Sequence, residues 1–283
     1  MNMGVKPFES DLVLEERISE STLRAYNVGF EQNKFRLQPL VDVLANVIPE
    51  FALGYHAGKE IPLTKLRQKL KEAATRVYTT ENYKKRGEFG ELILHLLLRD
   101  FCGSIPLISK IWFKDTDNAT VHGFDGVHVV VSGDSKKLWL GESKLYRDGR
   151  LGVKALADDL KLHVERDYLR REFNLIQTKL PDDAPEIEYW RSLLHEHRRL
   201  DEVLDNICIP MVCTYSSPVF GAHNDNTERF ISDFVTECRI LKGIFDAKEI
   251  VTDVDVLLML LPVPSKDELI MELDKRLKSM QAI

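Results

Sequence analysis

The longest uninterrupted apolar stretch in the chain is Val256–Val263, eight residues. That is far short of the ~18–20 residues a membrane-crossing helix needs. It fits a strand buried on both faces, and so does Cys208–Tyr215. Such strands need a layer of helices on each side. Asn226–Leu241, between the two, has helical periodicity. So does Lys266–Met280 after the second, with Leu269, Leu273, Leu277 and Met280 in one stripe. The C-terminal part of the chain therefore reads β-α-β-α.

Upstream, Tyr83–Phe101 is expected to be a helix around the dense apolar run Leu92–Leu98. Three strands are expected next, Pro106–Phe113, Phe124–Val131 and Lys137–Leu145, the last two joined as a hairpin by the Ser132-Gly133-Asp134 turn. Leu151–Phe173 reads as one long helix and Glu186–Leu204 as an inserted one, separated by Pro181-Asp182-Asp183-Ala184-Pro185. The order α-β-β-β-α, insert, β-α-β-α implies an α/β mixed sheet flanked by helices. Before it, Asp11–Ser19 and Leu23–Phe30 suggest a peripheral strand pair. Phe35–Leu53, limited by Pro39 and Pro49, and Leu63–Tyr78 suggest two helices. Residues 1–80 thus read as an N-terminal extension and 81–283 as the main domain.

The formal charge is 39 − 45 = −6, which argues against a broad basic surface for nucleic acid. Charge is unevenly spread: Lys136 to Lys179 holds eleven Lys/Arg and seven Asp/Glu, +4, leaving −10 elsewhere. This suits a confined anionic ligand, or simply a solvated helix face. Four cysteines (Cys102, Cys208, Cys213, Cys238) lack CxxC spacing. They read as reduced, packed thiols, and Met1–Ser10 lacks the pattern of a secretory signal, so a cytoplasmic protein with no membrane association is expected.

The chemistry concentrates on one strand. Residues two apart share a face, so Leu138, Leu140, Glu142 and Lys144 form an inward face that ends in an acid and a base. Such charges are costly unless paired or bound to something. Pairing the hairpin across its turn brings Asp125 close to Glu142. Two converging carboxylates suit a hard divalent cation; a plain salt bridge at a strand end is the competing reading. On the preceding helix, Lys84, Glu88, Glu91, His95 and Arg99 form one polar stripe, facing either water or a cleft. Gly87 and Gly90 in that helix suit a close approach or a helix start near Gly87. His195 and His197, two apart on an expected helix, should diverge. Trp139 and Tyr146 fit core packing or base stacking. No phosphate loop surrounds Gly152 or Gly221, and no acyl-transfer triad stands out.

Arg86-Gly87-Glu88-Phe89-Gly90-Glu91, Asp125 and Glu142-Ser143-Lys144 together resemble the PD-(D/E)XK nuclease core, whose fold is αβββαβ. The whole chain is similar to the HamA family, nuclease subunits of the Hachiman anti-phage defence system. The resemblance implies a Mg²⁺-dependent deoxyribonuclease, with Mn²⁺ as a substitute, acting as a defence effector with little sequence specificity. It makes Asp125 and Glu142 metal ligands, with the Ser143 carbonyl in addition, and Lys144 the active-site lysine. The helix carboxylate falls on Glu91 by the spacing Gly87-x-x-x-Glu91, with Glu88 the alternative. Gly123-Phe124 stands where the most familiar spelling has a proline. Lys154 and Lys161 are candidates for phosphate contacts. The implied partners are DNA and a helicase-like protein, HamB. The alternative is a catalytically silent subunit that docks a partner or senses DNA ends; RNA as substrate also stays open.

Overall fold

The structure is a computed structural model and describes residues 6–78, 87–109, 111 and 123–283. The expected helix start at Tyr83, Lys84 of the polar stripe, Arg86 of the motif and the end of the strand at Phe113 lie outside the described residues.

The N-terminal part contributes β1 (Glu15–Ser19), β2 (Leu23–Asn27), the short pair β3 (Phe30–Glu31) and β4 (Lys34–Phe35), α1 (Leu37–Leu53), α2 (Tyr55–Lys59) and α3 (Leu66–Val77). There follow α4 (Glu88–Cys102), β5 (Ile105–Ser109), β6 (Gly126–Ser132), β7 (Ser135–Tyr146), α5 (Gly149–His163), α6 (Arg166–Lys179) and α7 (Ile187–Leu193). The chain closes with β8 (Ile207–Ser216), α8 (Val219–Ala222), α9 (Glu228–Asp246), β9 (Asp255–Val263) and α10 (Lys266–Ala282).

Among the described residues, seven strands make one mixed sheet in the order β1-β2-β9-β8-β7-β6-β5. β5, β6 and β7 are antiparallel neighbours, β7, β8, β9 and β2 run parallel, and β1 returns antiparallel at the edge. This is the expected α/β architecture. The N-terminal strand pair is peripheral as an edge, yet β2 is hydrogen-bonded into the sheet beside β9, with Leu23 paired to Leu258.

Strand periodicity splits the all-apolar central strands between two cores. Ile209, Met211 and Cys213 of β8 join Leu138 and Leu140 of β7 under α5, α6, α7 and α9. Cys208 and Val212, with Leu257, Met259 and Leu261 of β9, face α1, α3, α4 and α10. Leu269, Leu273 and Leu277 of α10 are buried in that second core. The hairpin turn is two residues, with Gly133 at φ +58° between the paired Ser132 and Ser135.

Three expectations about helices change. α1 runs through Pro49 to Leu53; the proline sits in the last turns, where one lost backbone bond is offset by burial of Val47, Ile48 and Phe51. The expected helix Leu151–Phe173 is two, broken at Val164 and Glu165. Leu160 and Leu169, both buried, are about two and a half turns apart and would face opposite ways on one continuous helix. The break brings both stripes to the core. The expected helix Glu186–Leu204 ends at Leu193 and gives way to 3₁₀ turns at Leu200–Glu202 and Leu204–Asn206.

Candidate active site

β7 is longer than its partner. Gly126, the first residue of β6, pairs with Gly141, and β7 continues to Tyr146 with only β8 beside it. At this rim Asp125 takes the place of the missing strand. Its N–H donates to the Gly141 carbonyl at 2.9 Å. Its carboxylate Oδ2 accepts from the Ser143 N–H at 2.9 Å and the Ser143 hydroxyl at 2.7 Å. In a strand the N–H and C=O of one residue point to the same edge, so the Ser143 carbonyl also faces the edge that β6 has left.

The approach to Asp125 is held from α6. Gly123 has φ +128°, and a Cβ there would stand 2.8 Å from Glu172 Oε2. Glu172 also accepts the Phe124 N–H at 3.4 Å. The Phe124 ring packs edge-on against His163 of α5, 4.6 Å between centroids, and against Tyr168 of α6.

Glu142 and Lys144 project from the α5 side of β7, as the strand period requires. The Glu142 side chain is 7% exposed, and the Lys144 ammonium lies 3.0 Å from its Oε1. The same ammonium lies 2.5 Å from Oδ2 of Asp159 on α5, and there the exposures are 24% and 31%. Burial alone would lower the Lys144 pKa; the carboxylates, Glu142 foremost, reverse that and raise it. The ammonium is held charged between two acids, one deep and one near the surface.

Ser143 points to the opposite face, where α4 comes very close. A Cβ on Gly90 would meet the Ser143 hydroxyl at 3.0 Å, and one on Gly141 would meet Leu94 at 2.8 Å. The two glycines let helix and strand touch. Gly87 stands just before the helix as its cap, matching the expected start there. Glu88 and Glu91 are both buried. At about 100° per residue, Glu91 is one step from the sheet-facing Gly90, whereas Glu88 lies roughly 160° round from it. Glu91 is thus nearer than Glu88 to the strand side of α4.

His95 and Arg99 of the polar stripe are buried and turn to α1. His95 Nε2 is 3.0 Å from Glu50 Oε1 of α1, and Arg99 Nε donates to that oxygen at 2.6 Å. Arg99 also donates to the Ser104 carbonyl at 2.6 Å. Burial would raise the Glu50 pKa, but His95 and Arg99 hold it below 4.5. Burial keeps His95 below 6.5, and burial with the nearby His95 and Arg99 charges keeps His128 well below it. This network locks α4 in place.

Asp125, Glu142, Ser143 and Lys144 are therefore brought together, with Glu91 on the facing helix. Lys154 and Lys161 are exposed. They lie about 140° and 160° round α5 from Asp159, on the shoulder away from Lys144. Asp159, His163 and Glu172 are the site neighbours that sequence reasoning missed. The available signal was periodic: Gly152, Leu156, Asp159 and His163 share one helical face, and Gly152 packs against Tyr146 and Cys213. His195 and His197 fall in the turn after α7, and their rings approach to 5.3 Å instead of diverging. Trp139 packs against the second core. All four cysteines are free.

Among the described residues, no group of three or more His, Cys, Asp or Glu side chains is placed to hold a metal ion. The donor set still fits Mg²⁺, which takes one or two carboxylates and completes its shell with water and phosphate oxygens. Asp125, just before β6, and Glu142 on β7 supply two buried hard-oxygen donors, Asp125 being fixed to Ser143, the residue after Glu142.

Fold and rim together define an α/β protein in which α4, β5, β6, β7, α5 and β8 follow the order α-β-β-β-α-β and a carboxylate-and-lysine cluster lies where β7 runs on past β6. The HamA family model matches residues 6–277, nearly the whole chain, and the chain belongs to the HamA family. It is accordingly an anti-phage defence protein of the Hachiman system, a system with a partner component. No curated protein matches the chain. No helix among the described residues is long and apolar enough to cross a membrane.

Proposed function

We propose that this protein is a Mg²⁺-dependent deoxyribonuclease of the PD-(D/E)XK type, the effector of its defence system. The observation that carries the reading is the rim itself: Asp125 clasped to Ser143, with Glu142 and Lys144 on the same strand. Asp125 and Glu142 would hold the ion, joined by the Ser143 carbonyl, with Glu91 of α4 beside the site. Bound there, the ion supplies charge neutralisation at the scissile phosphate and an activated water.

The chain's own residues do the rest. Asp125 is preorganised by two hydrogen bonds from Ser143, so it needs no rearrangement to act as a ligand. Lys144, kept protonated and partly exposed, points a fixed positive charge to where negative charge develops on the phosphorane. The buried Glu50–His95–Arg99 network holds α4, and with it Glu91, against β7. In this reading residues 81–283 carry the nuclease site and residues 1–80 support it.

DNA would be gripped mainly through phosphates, with little reading of sequence. The net charge of −6 gives weak unaided attraction to DNA, which suits control by the helicase-like partner HamB. Free buried thiols suit a reducing cytoplasm. The test is plasmid degradation by purified protein, with and without the partner. Wild type is expected to degrade DNA with Mg²⁺ and not with EDTA, and Glu142→Ala and Lys144→Ala to be inactive while still folded by melting curve. Undiminished cleavage by either variant, or no cleavage in any of these conditions, would overturn the reading. Parallel labelled RNA separates the two substrates.

A further inference from the structure

We propose that Asp159 is a positioning residue for Lys144, the second carboxylate onto which the ammonium moves when Glu142 turns to a divalent cation. The proposal rests on the nuclease reading above and assigns a role to a residue outside the family motif.

Lys144 bridges two acids: Glu142 Oε1 at 3.0 Å and Asp159 Oδ2 at 2.5 Å. The two differ in depth, Glu142 being 7% exposed and Asp159 31%. A divalent cation on Glu142 repels an ammonium held at hydrogen-bond distance from the same carboxylate. With a single acid present, Lys144 would either compete with the ion or swing away unpaired. Asp159 removes that choice. It comes from α5, which is fixed to the sheet through Gly152, Val153 and Leu156. The ammonium therefore stays at the mouth of the site, charged and in place, while the deep carboxylate is released. The contact is geometrically selective: Asp158, one residue earlier, points away and pairs with Lys248.

The experiment is a thermodynamic cycle read by Mn²⁺ binding, without substrate and without catalysis. Calorimetric titration at fixed pH and salt compares the full chain as wild type, Asp159→Asn, Lys144→Met and the double variant. If Asp159 acts through Lys144, Asp159→Asn weakens Mn²⁺ binding at least about tenfold more when Lys144 is present than in the Lys144→Met background. Asp159→Glu should return the affinity to within about threefold of wild type, because it restores a carboxylate partner. An equal loss in both backgrounds would mean that Asp159 acts on the ion by its own charge or on the fold, and overturns the proposal, as does no loss in either. Failure of wild type itself to bind Mn²⁺ removes the nuclease reading and the proposal with it. Binding without coupling removes the proposal alone. Melting curves identify any variant that does not fold, and Asp159→Glu then carries the comparison.

Discussion

Ser143 does two jobs at once. Its N–H and hydroxyl hold Asp125 from the strand side, and its side chain fills the narrow space beside Gly90 of α4. Ser143→Ala removes one of the two bonds to Asp125 and leaves the backbone one. A neutral–ionised hydrogen bond of this kind contributes about 1.5–3 kcal/mol, and the smaller side chain brings no steric conflict. The expected result is a loss of stability near the low end of that range in urea titration, with cleavage reduced but measurable. Lys144→Met should act on both. On the nuclease reading, removing the charge that faces the developing phosphorane is expected to cost about 10²–10³ in single-turnover rate. Stability should fall as well, because the buried Glu142 carboxylate loses its ammonium contact.

The elements show where sequence is informative. Asp125, Glu142 and Lys144 could be brought together on paper because a hairpin of period two with a fixed two-residue turn has almost no geometric freedom. Asp159 could not, because a helix on a sheet can be rotated or slid, and only packing of Gly152 against Cys213 sets its register. The break at Val164 was hidden for a related reason: each half of 151–173 has good helical periodicity, and only the phase between Leu160 and Leu169 betrays the change. Likewise the stripe Glu88–Arg99 gave no hint that His95 and Arg99 serve Glu50, which is far away in the chain. The contact of α4 with β7 yields a direct prediction. Gly141→Ala would set a methyl 2.8 Å from Leu94 Cδ2. Such overpacking costs about 1–3 kcal/mol, so the urea midpoint should fall, and cleavage should fall with it because Glu91 is displaced. An unchanged midpoint would mean that α4 is not pressed against the strand.

On the scale of the whole molecule, the core on the α4 side of the sheet contains buried polar groups whose protonation matters for stability. His95 and His128 have folded-state pKa values below 6.5, and Glu50 has one below 4.5. The unfolded chain therefore binds protons that the folded one refuses. The stabilisation is fully present above pH 6.5. It is lost as pH falls below that value toward the folded-state pKa values, with Glu50 adding its share below 4.5. The slope expected from each histidine is on the order of 1 kcal/mol per pH unit. Urea midpoints between pH 7.5 and 5.0 should decline accordingly, and Glu50→Gln, which strands Arg99 in the core, should lower stability by about 3–5 kcal/mol at neutral pH.

The proposed nuclease function requires a divalent cation at Asp125 and Glu142, and the most direct measurement is anomalous diffraction from a crystal soaked in Mn²⁺. A peak bridging the carboxylates of Asp125 and Glu142, absent from Glu142→Ala crystals grown the same way, is the expected result. A well-ordered rim with no peak there, in a protein that still degrades DNA, would contradict it.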